Sequence, residues 1–343
     1  MERRDFLKTT VGAGLTLAGT SLLASGRSGK RNDGYDPKGL PTTMFGNTGV
    51  LIPRIVLGLG SRFCHIDNAE DAYAMLNYAL DNGFYYWDTA HTYNNTIAPP
   101  PGKPRATELV ISEVRVGEVV KKRRGEIFLS TKIEAREPLE VMKQIELSLK
   151  RLQTDKLDML KIHGVANMDD VNQMSQKGQM IEIMLRMKEE KVTRFIGFSC
   201  HADPEAAKEM TNRAPFDSML IAMNHWPPYQ RRHEIAFPAA KDKKMGVLLM
   251  KAVRPRETVA GLQTTDLIKY ALSLEGPDAV AVGMDSIEVV KSNIAILQNF
   301  QKLPPAKMEE LALSLTPFYR HENLAWMQPD YRDGRRISCN VPA

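Results

Sequence analysis

Four ionisable side chains stand inside, or just past, segments otherwise suited to burial: Asp88 and Tyr93 in "YYWDTAHTY" (85–93), Lys132 in "IFLSTKIE" (127–134) and His163 in "LDMLKIHGV" (157–165). Residues of these types could move a proton. A phenol ionises near pH 10 in water, too high for acid or base work near neutrality, but an adjacent ammonium favours the phenolate. Lys132 can supply that ammonium, Asp88 can hold it charged in an apolar setting, and His163 can donate a hydrogen bond that orients a carbonyl oxygen. Each residue alone has a plainer explanation, because a strand-end lysine is usually a solvated cation, a single histidine a hydrogen-bonded core residue, and an aspartate a cap or turn former. It is the four in order, on consecutive segments, that point to a site.

Such a site needs elements that bring separate segments to one rim. Past Pro41 the sequence alternates short apolar or β-branched runs with longer stretches carrying apolar residues at three- and four-residue intervals, which predicts βα units and a parallel sheet. Strands are expected at 54–60, 84–90, 127–134, 157–165, 194–200, 218–224, 246–252 and 279–284. Eight such units, with no second kind of pattern, predict an α/β fold closed as a (β/α)8 TIM barrel, whose active site lies at the C-terminal ends of the strands. "MFGNTGVLIPRI" ahead of the first strand reads as an N-terminal β-hairpin turning at Gly46-Asn47-Thr48-Gly49, placed to plug the barrel floor. The expected division is a barrel over 42–320 and a C-terminal tail over 321–343.

Length and composition agree with one large catalytic domain. The chain has 343 residues, 43% hydrophobic and 25% charged, with a formal charge of +5 spread along it rather than gathered, so no nucleic-acid footprint is implied. The densest basic run, "KKRRG" at 121–125, ends a helical pattern, where cations favour the negative end of the dipole. Cys64, Cys200 and Cys339 have neither zinc-site nor redox-motif spacing, so no metal is expected, and three cysteines are too few for a disulfide framework, though one bridge could form.

The N-terminus carries an address. Arg3-Arg4-Asp5-Phe6-Leu7-Lys8 precedes a mildly apolar run from Val11 to Ala24, too short for a stable membrane span, and matches a twin-arginine (Tat) export signal. A signal peptide over 1–26, a flexible connector over 27–41, export to the periplasm or beyond and contact with the twin-arginine translocation machinery are the expectations. That route carries folded proteins, often around a cofactor.

With these segments in view, the chain resembles the aldo-keto reductase family. The likeness is carried by "MFGNTGVLIPRIVLGLG", "GFYYWDTAHTY", "LSTKIE", "LDMLKIHG", "RFIGFS" and "AVAVGMDSIEVVKSNI", spanning about residues 43–300. It implies an oxidoreductase using NADP or NAD, with hydride transfer between the nicotinamide and a carbonyl carbon. Tyr93 would act as general acid in reduction and general base in oxidation, tuned by Lys132 and Asp88, with His163 orienting the carbonyl. It further implies cofactor contacts at Ser199, Asn224, Lys251, Gly283, Glu288 and Asn293.

Several positions depart from the family pattern. Cys200 stands for an asparagine, Leu220 for a glutamine, Met250 for a stacking tyrosine, Gly283 and Met284 for lysine and serine, and Val289 for an arginine at the 2′-phosphate. The choice between NADP and NAD therefore stays open, and scarcity of free cofactor outside the cytoplasm implies that it is bound before export. The substrate class implied is a small carbonyl or alcohol, a sugar or other polar carbonyl. "NNTIAPPPGKPRATE" after Tyr93 is either a wall over the pocket or an inert loop. A non-catalytic binding or redox-sensing barrel is the alternative, and isomerisation or elimination with recycled cofactor a lesser one.

Overall fold

The computed structural model describes residues 34–96, 108–222, 232–253 and 263–315. In chain order its strands are β1 (Thr42–Met44), β2 (Leu51–Pro53), β3 (Ile55–Gly58), β4 (Tyr86–Asp88), β5 (Phe128–Ile133), β6 (Leu157–Val165), β7 (Thr193–Cys200), β8 (Ser218–Ala222), β9 (Gly246–Met250) and β10 (Ala279–Gly283). β1 and β2 pair antiparallel as a hairpin, and the other strands close into a parallel barrel in the order β10-β3-β4-β5-β6-β7-β8-β9. Helices alternate with the barrel strands, so the (β/α)8 barrel with its N-terminal hairpin is the fold.

The helices form on apolar stripes, and four of those described are also closed by a side-chain cap. Ala69–Asp81 starts at Asn68, whose side chain accepts from Glu70 N at 2.9 Å, and it places Glu70 and Asp71 at the positive end of its dipole. Its buried face is Ala72, Met75, Leu76, Ala79 and Leu80, the three-and-four spacing of one helical side. At its end Gly83 takes φ +93°, and a Cβ there would run into the carbonyl of Pro37. The basic run behaves as expected: Lys121, Lys122 and Arg123 fill the last turn of Ser112–Arg123, where Arg123 pairs with Asp81 at 2.7 Å.

Most strands are a little shorter than the sequence reading, and two boundaries differ more. Residues 34–41, expected to belong to a flexible connector, are docked: Tyr35 is buried, stacks on Tyr85 at 5.2 Å and donates its hydroxyl proton to Asp158 at 2.7 Å. One aromatic and Leu40 are enough to hold an otherwise polar stretch against the barrel. β4 is much shorter than the expected 84–90, because its register with β3 stops at Asp88, although the backbone beyond still bonds to β5 through Thr89 N to Ser130 O (2.9 Å) and His91 N to Lys132 O (3.0 Å). The signal peptide, the connector's first part, the proline-rich stretch and the tail lie outside the described residues.

Alternation along the strands builds the interior in layers. Phe45, from the hairpin turn, closes the floor with its ring edge-on to Tyr86 at 5.8 Å and to Phe128 at 6.5 Å, while Tyr86 stacks on Phe128 at 4.5 Å. Gly246 leaves the room for this, since a Cβ there would meet the Phe45 ring. Two residues further along β4 and β5 come Asp88 and Ser130, and two more along β5 comes Lys132. An apolar floor thus supports a polar upper layer.

A further buried carboxyl lies in the first turn of the helix Ser112–Arg123. Glu113 accepts from Thr131 Oγ1 at 2.6 Å, with Arg151 Nη1 at 3.7 Å and His91 Nδ1 at 3.9 Å, and burial pushes its pKa up to about 6. A folded-state pKa above the unfolded value favours the protonated form, so the stability this group contributes is present below its unfolded pKa and is lost as pH rises through about 6. Glu113→Gln is therefore expected to flatten the stability profile by about 1 kcal/mol between pH ~5 and pH ~8 in urea unfolding. An unchanged slope would contradict the assignment.

Candidate active site

Tyr93 sits in the loop that leaves β4 across the C-terminal rim. Its backbone is pinned from both sides, with Tyr93 N donating to Ala90 O at 3.1 Å and Ser112 N donating to Tyr93 O at 3.0 Å. Asn94 bridges Ile111, and Asn95 Oδ1 accepts from Val110 N at 3.0 Å, so side-chain amides stiffen the turn just beyond the phenol. The ring packs against Gly60, where a Cβ would lie 3.4 Å from it.

The other three residues converge on that ring. Lys132, fully buried on β5, directs its ammonium to Asp88 Oδ2 at 2.7 Å, Thr89 O at 2.8 Å and Tyr93 Oη at 3.1 Å, which uses all three of its donors. The same nitrogen lies 4.5 Å from the centre of the Tyr93 ring. His163, buried near the end of β6, meets that ring edge-on at 5.5 Å, and its Nδ1 is 3.4 Å from Thr92 Oγ1. Asp88, Tyr93, Lys132 and His163 therefore form one cluster at one mouth of the barrel.

A fifth charged group shares the cluster. Lys161 lies two residues before His163, on the same face of β6, and pairs in register with Lys132 of β5. Its Nζ donates to Asp88 Oδ1 at 2.8 Å, Ser130 Oγ at 3.0 Å and Tyr86 Oη at 3.1 Å. The period-two spacing from His163 was the available signal, but a lysine in an apolar strand reads by itself as an edge cation. Burial alone would push the Asp88 pKa up; Lys132 and then Lys161 outweigh it and hold the carboxyl at about 2. For Lys161, burial works against the charge and Asp88 works for it, with a net lowering.

The expected cofactor residues spread along the rim. Ser199, next to last in β7, is fully buried, and its hydroxyl is engaged with the backbone on both sides of His163: it accepts from Gly164 N at 2.9 Å and donates to Ile162 O at 3.4 Å. That contact fastens the irregularity between Ile162 and Val165, where Gly164 takes φ +65°. Lys251 follows β9 half-buried at φ +62°, a left-handed backbone that costs an L-residue energy and is often found at sites. Gly283 ends β10 under the side chain of Arg62, whose Nε is 3.9 Å from Asp285 Oδ2, so a guanidinium not foreseen from the sequence stands at this part of the rim.

Beyond β10 the helix Ile287–Gln298 is capped by Ser286, whose Oγ accepts from Val289 N at 3.3 Å. Glu288 is exposed there, its carboxyl held below the usual range by its own backbone N–H and by Ser286. Asn293 is buried and gives its amide N–H to Val289 O at 2.9 Å, which leaves Oδ1 without a hydrogen-bond partner. An unpaired buried amide oxygen in the second turn of this helix suits a ligand carrying N–H donors, such as an adenine amino group. Asn224 lies outside the described residues. Leu220, Met250 and Cys200 are buried, and Cys200 contacts Asp203 O at 3.2 Å. Among the described residues no group of three His, Cys, Asp or Glu side chains could hold a metal ion, and no helix is long and apolar enough to cross a membrane.

Comparison with known proteins matches residues 54–255 to the model of the aldo/keto reductase family. Oxidoreductase YqkF of Bacillus subtilis (strain 168) is 26% identical over 268 residues, covering 65% of this chain and 81% of its own. L-galactose dehydrogenase of Arabidopsis thaliana is 24% identical over 320 residues, covering 82% and 95%. Among solved structures, an aldo/keto reductase from Klebsiella pneumoniae in complex with NADP and acetate shares the fold, with a TM-score of 0.62 and 21% identity over 81% of this chain and 97% of that one.

Proposed function

Because the chain belongs to the aldo/keto reductase family, we propose that it is an exported, nicotinamide-dependent oxidoreductase that interconverts a polar carbonyl and its alcohol, with Tyr93 as the proton donor and acceptor. The observation that carries this reading is the buried Lys132 ammonium, placed 3.1 Å from Tyr93 Oη and 2.7 Å from Asp88. A hydrogen bond donated to the phenolic oxygen favours its ionised form and leaves the hydroxyl proton for the substrate.

In the reductive direction Tyr93 gives its proton to the carbonyl oxygen, and Lys132 stabilises the phenolate that remains. In oxidation the phenolate takes the alcohol proton. His163, beside the ring, donates to the substrate oxygen and fixes its angle of approach. A nicotinamide dinucleotide, when bound, supplies or accepts the hydride. The residues that would hold it are Ser199, Lys251, Gly283, Glu288 and Asn293, with Asn224 as a further candidate. The unpaired Asn293 Oδ1 supports the adenine end of that assignment. Arg62 and Lys251 offer cations for the phosphates, which leaves either NADP or NAD acceptable.

A sugar is the favoured substrate class, supported by the relative named L-galactose dehydrogenase. Export rests on Arg3-Arg4 and the short apolar run behind them, and it requires that the cofactor travel with the folded protein. A redox-sensing barrel without turnover is the competing reading; the engagement of the Ser199 hydroxyl with Gly164 is what favours it.

The test is native mass spectrometry of protein recovered from the outer compartment, followed by nucleotide absorbance assays with aldoses and other polar carbonyls. Bound NADP or NAD and turnover of at least one such substrate are expected. Protein that leaves without nucleotide, binds none when it is added and turns nothing over would reject the proposal.

A further inference from the structure

One carboxylate in this site serves two buried ammonium groups. Lys132 takes Asp88 Oδ2 at 2.7 Å and Lys161 takes Oδ1 at 2.8 Å, and both lysines are fully buried. Lys132 alone also reaches Tyr93 Oη, at 3.1 Å. If Lys161 were apolar, the whole negative charge of Asp88 would face Lys132 and cancel much of the field that this ammonium exerts on the phenol. With Lys161 in place the charge is divided, and the cluster of two cations and one anion is completed by a phenolate at Tyr93. Charges within 4 Å in a dry interior couple far more strongly than in water, so the division is large enough to matter.

Among the described residues, the other titratable groups facing this cluster are Tyr86 on β4, His163 on β6 and Tyr93 itself. Tyr86 donates no competing anion, since burial and then the charge of Asp88 keep its phenol protonated well beyond its ordinary range. Ser130 Oγ accepts from Lys161 at 3.0 Å and donates to Asp88 Oδ1 at 3.0 Å, which locks the carboxylate plane against both lysines.

We propose that Lys161 is a positioning residue for proton transfer at Tyr93: it anchors one oxygen of Asp88 and divides its charge, so that Lys132 acts on the phenol less fully neutralised. The assignment rests on the reading of Tyr93 as proton donor and acceptor. It extends that reading to a residue that touches neither substrate nor the reacting oxygen.

The test is a tyrosinate absorbance titration of the full protein, of Lys161→Met and of Lys161→Gln, each with and without Tyr93→Phe, so that the difference isolates Tyr93. Met keeps the length of the chain without its charge, and Gln keeps a hydrogen-bond donor, so one replacement can serve if the other fails to fold. The Tyr93 step is expected to move up by about one pH unit or more, a tenfold loss of phenolate at fixed pH. A step that stays in place in a folded variant overturns the proposal. Carbonyl turnover of the same proteins keeps the two readings apart. If Tyr93→Phe retains turnover while the step shifts, the functional proposal fails and the role of Lys161 in the phenol's ionisation stands. If Tyr93→Phe is inactive and the step does not move, the converse holds.

Discussion

Tyr93→Phe is expected to lower kcat/KM for carbonyl reduction by about 10²–10⁴-fold, the usual contribution of a placed general acid, while nicotinamide nucleotide binding changes little. The substitution is close to a pure deletion of one oxygen. A phenylalanine ring keeps the packing against Gly60, the edge-on contact with His163 at 5.5 Å and the ammonium 4.5 Å from the ring centre. Lys132 loses one acceptor, at 3.1 Å, and retains Asp88 and Thr89 O. Folding should therefore be nearly unaffected, and the loss should appear in turnover alone. Steady-state kinetics with fluorescence titration by NADPH and NADH checks this. A fall in kcat/KM smaller than about threefold would remove Tyr93 from the proton-transfer role.

Asp88→Asn is expected to cost about 3–5 kcal/mol of folding stability, because it leaves two buried ammonium groups facing an amide. Both lysines are fully buried, so neither can recover its hydration by turning outward. The pH dependence identifies the cause. In the native protein the Asp88 carboxyl is held at about 2, below its usual 3.8, so its contribution is present above the unfolded pKa and is lost as pH falls from about 4 towards 2. In the variant the unfavourable charges are the lysines, which can shed protons as pH rises. The deficit should therefore shrink between pH ~6 and pH ~9 in urea unfolding. A loss below about 1 kcal/mol, or a deficit that does not depend on pH, would mean that the cluster is not charged as described.

These outcomes bear on how much of the site could be read from residues alone. Asp88, Lys132 and His163 were legible because each interrupts an apolar strand near its C-terminal end, where this architecture exposes side chains to the barrel mouth. Tyr93 was legible through its distance past Asp88, which places it on the rim. The cofactor side was less so. Ser199 reads as a ligand by resemblance, yet its hydroxyl is committed to Gly164 N. Arg62 was not singled out at all, because its closeness to Gly283 and Asp285 joins the first barrel strand to the last.

The sequence by itself determined the alternation of βα units, the hairpin at the floor and the strand ends that carry chemistry, since hydrophobic periodicity and turn residues are local properties. Only the tertiary structure decided that Lys161 would share Asp88 with Lys132, that Tyr35 would dock on Asp158, and that Phe45 would enter the space left by Gly246. Period two tells which face of a strand a side chain takes. Which residues of neighbouring strands then share its layer depends on the stagger set when the barrel closes, and that stagger is written in no single segment.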